Sequence, residues 1–483
     1  MTFAKFEFIK KYVLTFAQSC ITIYPNTARV TVSELISMYE NTVYQSTKRK
    51  QMEKASVKFK QNPDAENRVL NIYPQMKYQS VLGFGSAFTD ASAINFSKMS
   101  ERTKNEFLKL YFDKKDGLGL NFCRTHINSC DFSAEKYTYV AEGDKFLDSF
   151  DIAHDEQCII PMIDAAKRVC DDELLLLCSP WSPPAFMKSN RNMLLGGRLK
   201  PEFYQAWGDY FAKYINAYKA HDIEFYALTV QNEPNATQTW ESCRYTAAET
   251  AMFVRDYLYP SLQAAGLDTK ILIWDHNKEH AFDWVDDMHK IPGAAELIDG
   301  VAFHWYSGDH FDALRMAHER NPDKLLIESE YCVGAKRGDM IASWDEAMQY
   351  AYDIIGNFNN YMNATIEWNM LLDDKGGPYH ARLGPCKSMV HYFANDDEIK
   401  IGKIYYAMAH FSKFVQRGAV RIGCSVYDRN VHMTAFENPD GSIVAVMQNY
   451  GKDKKCTLRL DNFAADIKLD DDSISTIIIE NRA

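Results

Sequence analysis

The sequence contains cysteines but none of the spacings that organise them into a framework. No C-x-x-C pair occurs, and the eleven cysteines are an odd number spread from Cys20 to Cys456. A disulfide scaffold needs denser, paired cysteines, and a zinc site needs clustered ligands. We therefore expect free thiols, which are typical of a reducing cytosol, and predict a cytoplasmic protein.

Long apolar runs and basic patches are also missing. No run reaches the roughly 18 residues that span a bilayer. The formal charge is −11, and the densest basic run is Lys48–Lys50. Neither nucleic acid nor membrane insertion is therefore expected. The stretch Met1–Cys20 would make the protein secreted if it were a signal peptide. Its apolar segment is shorter than a normal signal core, which favours the cytoplasmic alternative.

Several catalytic motifs are absent. The sequence has no H-E-x-x-H or H-x-H for a metal and no G-x-S-x-G for a serine nucleophile. Gly83–Gly85 lacks the third glycine of a dinucleotide loop. His276 and His304 are expected to form hydrogen bonds at the site, with metal ligation as the alternative. We predict no metal and no organic cofactor.

A series of short apolar runs is present, separated by helix-length segments such as Pro201–Ala220 and Ala247–Leu258. The runs are Ser80–Phe84, Leu120–Arg124, Leu174–Cys178, Phe225–Val230, Ile271–Trp274, Gly300–Phe303, Leu325–Ile327 and Thr365–Trp368. Continuous apolar runs suit parallel strands covered on both faces. Because eight βα units close into a barrel, we predict an α/β fold with a (β/α)8 TIM barrel.

The segments outside the barrel predict a second, β-rich unit. β-type runs follow residue 405, and Asn438–Gly441 lies between two of them as a hairpin turn. Strand-like segments at Thr42–Gln45 and Ala55–Phe59 precede the barrel. We therefore expect both ends of the chain to form one β-sandwich-like side domain. The predicted boundaries are 1–41 for an N-terminal arm, 42–76 and 411–483 for the β-domain, and 77–410 for the catalytic barrel.

Polar and aromatic residues follow most of the predicted strands, at the end where barrel enzymes build their active sites. Glu233 ends the fourth run and Glu330 ends the seventh. These strands lie on roughly opposite sides of the barrel, so the two tips face each other. Hydrolysis of a glycosidic bond needs such a carboxyl pair. Glu328 is expected on the same side of its strand as Glu330, but deeper in the barrel, as a structural residue.

The surroundings of the two glutamates suggest different roles. Asn232 is placed beside Glu233 to hold a sugar 2-hydroxyl. Residues from other strand tips are expected to keep Glu330 ionised as a nucleophile, whereas a less solvated Glu233 would have its pKa raised. Those residues are Arg124, His304 and Tyr306, and we expect all three to bind substrate as well.

Several short segments spread over most of the chain carry a family pattern. They are Gly83–Asp90, Arg124, Ser129–Ser133, Ser179–Pro184, Gln231–Pro234, His304–Tyr306, Glu330–Gly334, Trp368–Asn369 and Gly376–Pro378. In them the sequence resembles glycoside hydrolase family 30, the family of glucosylceramidases and bacterial β-glucosidase-like relatives. The resemblance implies Glu233 as acid/base and Glu330 as nucleophile. It also implies a pocket for the terminal sugar lined by Asp131, Trp181, Asn232 and Trp368.

The sequence departs from glucosylceramidase-type relatives after the Gly-Gly-Pro segment. Those relatives carry an asparagine there, whereas this chain reads Tyr379–Gly384. The identity of the leaving group is therefore open. Trp240 is a candidate platform for it, with loop packing as the alternative.

The predicted function is a retaining β-glycosidase, exo-acting on β-glucosides, that works by double displacement through a glycosyl-enzyme intermediate. Its partner is a carbohydrate substrate. A β-1,6-glucanase or a β-xylosidase of the same family is the alternative. A non-catalytic carbohydrate-binding protein is the alternative from another class. The sequence leaves the oligomeric state and the role of residues 1–41 open.

Overall fold

The structure, a computed structural model, describes residues 41–62, 64–336, 338–380 and 384–480. The arm predicted for residues 1–41 lies outside these ranges except for Asn41, and so does the stretch Met1–Cys20. Within the described ranges, no helix combines the length and apolar character that crossing a bilayer requires.

In the described chain ahead of the barrel, the backbone forms strands of the β-rich unit. They are β1 (Asn41–Ser46), β2 (Glu53–Val57), β3 (Lys60–Gln61) and β4 (Val69–Ser80). The prediction missed β4 and began the first barrel strand at Ser80, but Ser80 ends β4 and the barrel strand begins at Gly83. β4 mixes buried and exposed residues, so it has no continuous apolar run.

The barrel follows, with the short strand β12 (Val333–Gly334) outside it. The barrel strands are β5 (Gly83–Phe88), β6 (Phe122–Ile127), β7 (Leu175–Pro180), β8 (Ala227–Thr229), β9 (Lys270–Asn277), β10 (Gly300–His304), β11 (Leu325–Glu330) and β13 (Ala364–Glu367). All neighbours pair in parallel, and β13 closes the ring against β5. The predicted (β/α)8 barrel is confirmed, with its strands in the predicted order.

The helices surround the barrel. They are α1 (Asp90–Lys98), α2 (Glu101–Phe112), α3 (Ala153–Gln157), α4 (Ile159–Lys167), α5 (Tyr204–Lys219), α6 (Ala247–Phe253), α7 (Tyr259–Ala264), α8 (Ala281–Met288), α9 (Phe311–Arg320), α10 (Trp344–Asn359) and α11 (Ile404–Ser412). A π-helical turn at Val254–Leu258 joins α6 to α7. Thr246 caps α6 through a capping box with Glu249, which satisfies two backbone donors.

Successive side chains of the barrel strands point alternately into two hydrophobic cores. A layer of strand side chains fills the interior, and a larger cluster packs the outer strand faces against the helices. The interior layer is Phe122, Leu177, Ala227, Leu272, Ala302, Ile327, Ala364 and Ile366. Because successive strand residues point to opposite faces, neighbours of these residues face the helices.

Two small sheets stand beside the barrel mouth. Their further strands are β14 (Leu371–Asp373), β15 (Cys386–Lys387), β16 (Val390–Phe393) and β17 (Glu398–Ile401). β12 pairs with β15 in one sheet, and β14, β16 and β17 form the other.

The C-terminal strands complete the β-rich unit. They are β18 (Val420–Ser425), β19 (Val431–Glu437), β20 (Ile443–Asn449), β21 (Lys454–Leu460), β22 (Phe463–Leu469) and β23 (Ser473–Ile479). Counted over the described residues, they join β1–β4 in a ten-stranded sheet around a second apolar core. The prediction that both ends of the chain build one side domain is confirmed, although it missed β22.

Candidate active site

The two predicted glutamates meet at the mouth of the barrel. Glu330 is the last residue of β11, and Glu233 follows β8 across the segment Val230–Asn232. One carboxylate oxygen of each glutamate and one ring nitrogen of His304 lie within 4.8 Å of one another. Since β9 and β10 separate the two strands in the ring, the carboxyls reach this point from different parts of the rim.

Both oxygens of the Glu330 carboxylate accept hydrogen bonds. Nη1 of Arg124 donates to Oε2 at 2.9 Å, and the hydroxyl of Tyr306 donates to Oε1 at 3.0 Å. A carboxylate held in this way has a fixed orientation, and its ionised form is favoured. These two neighbours of Glu330 are the ones that the sequence predicted.

Arg124 lies on β6 beneath the pocket and is fully buried. All five of its N–H donors are engaged by protein acceptors. These are Ser179 Oγ, the Ser329 carbonyl, Glu330 Oε2, Asn232 Oδ1 and Asp275 Oδ2. The sequence predicted that Arg124 binds substrate. In the structure Arg124 has a positioning role, since its donors are engaged by protein, and the substrate contact stays a prediction.

His304 has a positioning role as well, and its contact with substrate stays a prediction. It is fully buried, and both ring nitrogens face carboxylates. Nε2 lies 3.1 Å from Asp275 Oδ1, and Nδ1 lies 3.4 Å from Glu233 Oε1. Nδ1 is 3.9 Å from Glu330, so the partner nearer to His304 is Glu233.

Asp275, which directly follows the fifth predicted run, is the central acceptor of this network. Oδ2 accepts from Arg124 at 2.8 Å and from Thr229 at 2.6 Å, and Oδ1 accepts from Ser329 at 2.5 Å. Burial raises the pKa of Asp275, but Arg124 and His304 outweigh burial and hold that pKa well below its usual range. Asp275 is therefore a buried anion that fixes both cations.

Glu233 has longer contacts than Glu330. Gln238 Nε2 donates to Oε2 at 3.3 Å, and His276 Nε2 lies 3.9 Å from Oε1. The backbone at Glu233 is left-handed, with φ of 47°, and its amide donates to the Asp275 carbonyl at 2.9 Å. This uncommon conformation turns the side chain toward the mouth. The sequence did not identify Gln238, whose role depends on how its loop folds back.

The pKa values of the carboxyl pair differ from the predicted order. The pKa of Glu330 lies above its ordinary value, because burial outweighs the charges of His304 and Arg124. Burial also raises the pKa of Glu233, but the hydrogen bond from His304 and the charge of His276 outweigh it, and the pKa falls below its ordinary value. The prediction of a raised pKa for Glu233 was wrong for the unliganded protein, because His304 bonds to Glu233 rather than to Glu330.

Glu233, His304 and Glu330 are residue types that bind metal ions, and they lie close together. Whether they could bind one depends on the protonation of His304. Burial lowers the pKa of His304, but the Glu330 charge and the hydrogen bonds to Asp275 and Glu233 raise it to about 9. At neutral pH the imidazole is protonated and offers no lone pair, whereas a metal needs a neutral imidazole. The group does not fit a metal ion.

A cavity of about 370 Å³ lies above the carboxyl pair. Predicted residues line it together with residues that the sequence did not assign to the site. The predicted ones are Asp131, Trp181, Asn232, Glu233, Trp240, His276, Tyr306, Glu330 and Trp368. The others are Gln238, Asn277, Cys332, Gly334, Gly384, Pro385 and Cys386.

Two tryptophans and one carboxyl define one end of the cavity. The rings of Trp181 and Trp368 stack at a centroid distance of 5.0 Å, and the Arg124 guanidinium lies 4.7 Å from the Trp181 ring. Among the described residues, buried Asp131 Oδ1 has no hydrogen-bond partner. Burial raises the pKa of Asp131 well above its ordinary value, and the Glu330 charge adds to the effect. A buried polar atom of this kind can be satisfied by a ligand hydroxyl.

The sequence predicted that Glu328 lies inside the barrel, below Glu330. This prediction was wrong, because Glu328 lies on the outer face of β11. Its carboxyl accepts from Asn357 of α10 at 2.8 Å and from Thr365 at 2.7 Å. Ile327 fills the barrel interior, so strand alternation turns Glu328 outward to the helices. Glu330 comes back to the mouth because the β10–β11 register shifts at Phe303/His304.

The segment that departs from the family pattern is only partly described. Ala381–Leu383 lie outside the described residues, but His380 bonds to Glu241 at 3.1 Å, and Glu241 accepts from Ser129 at 2.6 Å. These bonds anchor the loop that carries Trp240. Trp240 both lines the cavity and packs partly against the tryptophan cluster.

Comparison with known families agrees with this geometry. The model of the glycosyl hydrolase family 30 TIM-barrel domain matches residues 81–415, and that of the family 30 beta sandwich domain matches residues 418–477. The chain belongs to glycosyl hydrolase family 30. The predicted family and the predicted fold are thereby confirmed, and the protein is a glycoside hydrolase that acts on carbohydrate.

Individual family 30 relatives cover most of the chain. The lysosomal acid glucosylceramidase of Mus musculus is 31% identical over 424 residues, which are 84% of this chain and 82% of that protein. The crystal structure of SrfJ from Salmonella typhimurium is 34% identical, with a TM-score of 0.88 over 92% of this chain and 100% of that one. The endo-β1,6-glucanase BT3312 is 28% identical, with a TM-score of 0.82 over 91% and 99%.

Proposed function

We propose that this family 30 enzyme is a retaining β-glycosidase that removes single β-glucosyl units, with Glu233 as acid/base and Glu330 as nucleophile. The observation that carries the proposal is the approach of the two carboxyls, whose oxygens lie within 4.8 Å. Retaining enzymes hold these groups about 5 Å apart, whereas inverting enzymes need roughly 6.5–9.5 Å to admit a water.

The hydrogen bonds support the division of roles. Arg124 and Tyr306 hold both oxygens of Glu330, which suits an ionised nucleophile of fixed direction. Glu233 is held by longer contacts to His304 and Gln238. A bound sugar that excludes water raises the pKa of Glu233 toward its protonated form.

The reaction then proceeds in two displacements. A Glu330 oxygen attacks the anomeric carbon while the bond to the leaving oxygen breaks and that oxygen takes the proton of Glu233. The product of this step is a glycosyl ester on Glu330. A water molecule next attacks the anomeric carbon, Glu233 accepts its proton, and the ester bond returns its electrons to Glu330.

The cavity supplies groups that suit a terminal sugar. Asn232 Oδ1 already accepts from Arg124 at 2.8 Å, so its amide nitrogen is oriented to donate to a 2-hydroxyl. Asp131 offers its unpartnered oxygen as an acceptor for further hydroxyls. Trp181 and Trp368 line the cavity and supply apolar surface for the sugar ring.

The size of the cavity supports action on a chain end. About 370 Å³ is near the lower end of the range for small-molecule pockets, which is roughly 300–1,000 Å³. The relative from Mus musculus is named a glucosylceramidase, which also supports a β-glucoside as substrate. We therefore favour exo action on short β-glucosides.

A second candidate is an endo-acting β-1,6-glucanase. It is favoured by the likeness to the solved endo-β1,6-glucanase, which spans 91% of this chain. The sequence departs from the family pattern at Tyr379–Gly384, and Gly384 lines the cavity, so the two activities would differ there.

Product analysis separates these candidates. With an aryl β-glucoside, NMR of the first-formed sugar should show the β-anomer, and the α-anomer would overturn the retaining mechanism. With β-1,6-linked glucan, exo action releases only monosaccharide at early times, whereas a ladder of oligosaccharides would establish endo action. Binding of sugars without turnover of any β-glycoside would favour the carbohydrate-binding alternative.

A further inference from the structure

Two cysteines lie in the wall of the cavity with their sulfurs in contact. Cys332 follows Glu330 by two residues, and Cys386 begins β15. Their Sγ atoms are 3.7 Å apart, and both residues line the cavity. Both are free thiols, since a disulfide would bring the sulfurs to about 2.05 Å.

The backbone holds this pair together. β12 and β15 pair antiparallel with Gly334 opposite Cys386, and the Ala335 amide donates to the Pro385 carbonyl at 2.8 Å. Lys387 anchors β15 through an ion pair of 2.8 Å with Glu346 of α10. The contact between the sulfurs is therefore imposed by a paired ribbon and does not depend on two unconnected loops.

The thiol pair is linked to the nucleophile through one side chain. The hydroxyl of Tyr306 lies 3.4 Å from Cys332 Sγ and 3.0 Å from Glu330 Oε1. The Cys332 carbonyl also accepts from Trp305 Nε1 at 3.1 Å. A shift of the Cys332 side chain therefore changes the surroundings of the group that orients Glu330.

We propose that Cys332 and Cys386 are a redox-active dithiol whose oxidation to a disulfide slows the glycosidase reaction by drawing Cys332 away from Tyr306. Closing the bond requires the sulfurs to move from 3.7 Å to about 2.05 Å. The effect on activity rests on the proposed function, whereas formation of the disulfide does not.

The oxidant is a small disulfide that enters through the cavity. The Cys386 thiol loses its proton and attacks one sulfur of this disulfide, whose S–S bond breaks and releases one thiolate. Cys332 then loses its proton and attacks Cys386 Sγ in the mixed disulfide. The second small thiolate leaves, so the protein is oxidised by two electrons and the two protons end on the two released thiols.

The order of attack follows from the surroundings of the two thiols. The hydrogen bond with Cys386 and burial raise the pKa of the Cys332 thiol well above its ordinary value. Cys332 is therefore a poor attacking thiol and acts as the resolving thiol once Cys386 carries the small-molecule group.

The test uses 4,4′-dithiodipyridine on the full-length protein, followed by peptide mapping without reductant and by kinetics. We expect a 332–386 disulfide and a fall in kcat/KM of roughly 10- to 100-fold, because small displacements near reacting groups cost rates of this order. Dithiothreitol should restore the activity. Cys386→Ser should form no such bond, and its activity after treatment should equal its activity before treatment.

Cys424→Ser is the matched control, since Cys424 lies on β18 of the side domain and should leave the oxidant response unchanged. Two results would overturn the proposal: reaction of other thiols without a 332–386 bond, or complete bond formation with unchanged kcat/KM. A protein that forms the bond but hydrolyses no β-glycoside would overturn the proposed function and leave the dithiol supported.

Discussion

Glu330 and Glu328 are two residues apart on β11, yet they face different surroundings. Glu330 accepts from Arg124 and Tyr306 at the mouth, whereas Glu328 accepts from Asn357 and Thr365 on the helix side. Burial and the Asp353 charge raise the pKa of Glu328 well above its ordinary value, which favours its protonated form. Glutamine has nearly the shape and polarity of a protonated glutamate, so it can replace Glu328. It carries no negative charge, so it cannot replace the nucleophile Glu330.

This contrast gives a matched pair of variants. Glu330→Gln should lower kcat/KM at least about a thousandfold, because the covalent step loses its nucleophile. Glu328→Gln should keep most of the activity and change the free energy of unfolding by less than about 1.5 kcal/mol. Steady-state kinetics and urea unfolding of both variants check this. Equal loss of activity in both would contradict the assignment.

His304 is the cation that both catalytic carboxyls share. Its pKa of about 9 makes it charged at the working pH, and this charge favours ionised carboxylates. His304→Gln removes the charge, so the pKa values of Glu233 and Glu330 should rise. Both limbs of the kcat/KM–pH profile should move to higher pH by roughly one unit.

His276→Gln is the control for this shift. Burial lowers the pKa of His276, so the ring is neutral near pH 7 and its replacement removes no charge there. Because His276 adds a charge beside Glu233 only at lower pH, the limbs of its profile should move less than those of His304→Gln. If the His304→Gln profile kept the wild-type limbs, His304 would not set the ionisation of the pair.

The sequence predicted the catalytic pair but not its full support. Glu233 and Glu330 follow strand ends, so their position at the mouth depends only on the fold. The roles of His304 and Asp275 depend on which neighbours meet them across the barrel. No linear pattern shows that His304 lies nearer to Glu233, or that Cys332 touches Cys386.

The elements of the barrel are joined by a buried polar network behind the site. Lys278, after β9, pairs with Asp353 of α10 and donates to Asn357 at 3.1 Å. Asn357 in turn bonds to Glu328 of β11 at 2.8 Å. Because these groups are buried, removal of one partner leaves the other without a hydrogen bond or counter-charge and lowers the stability of the protein.

Lys278→Met should therefore destabilise the protein by about 3–5 kcal/mol, because it leaves the Asp353 carboxylate buried without its cation. The measurement is the free energy of unfolding in urea. Lys270→Met removes a half-exposed pair with Asp299 and should cost less than about 1 kcal/mol. Similar costs for both would show that the network does not support the barrel.

Strands could be predicted where their residue pattern is compatible with only one kind of element. The barrel strands are buried on both faces and gave continuous apolar runs. β4 is buried at its start and largely exposed toward its end, and β22 alternates buried with exposed residues, so neither gives a continuous apolar run. Only pairing with β18 and β21 identifies them as strands.

For the whole molecule, the barrel and the side domain share a buried junction. His410 of α11 is fully buried, and its nitrogens lie 2.8 Å from Ser46 Oγ and from Thr476 Oγ1. These hydroxyls belong to β1 and β23, one from each end of the chain. Burial lowers the pKa of His410 to about 3.

This junction should make the stability depend on pH. Above about pH 6.5 the imidazole is neutral in both states; as pH falls toward 3 only the unfolded chain takes up the proton, so stability is lost. Between pH 7 and pH 4.5 the wild type should lose roughly 2–3 kcal/mol more than His410→Gln. Urea unfolding at both values measures this, and identical losses would contradict the role of His410.

The chain as a whole matches both domains of its family, and the sequence predicted this from segments spread across it. Sugar specificity could not be predicted, because it depends on how loops from distant strands close around the cavity. The cytoplasmic location stays a prediction.

The most direct test of the catalytic assignment is trapping with a 2-deoxy-2-fluoro-β-glucoside that has a good leaving group. The fluorine slows both displacements, and the leaving group lets the first proceed, so the glycosyl-enzyme accumulates. Peptide mapping should place one fluoroglucosyl group on Glu330. A label on Glu233 or on another residue, or turnover with no covalent adduct, would contradict the assignment.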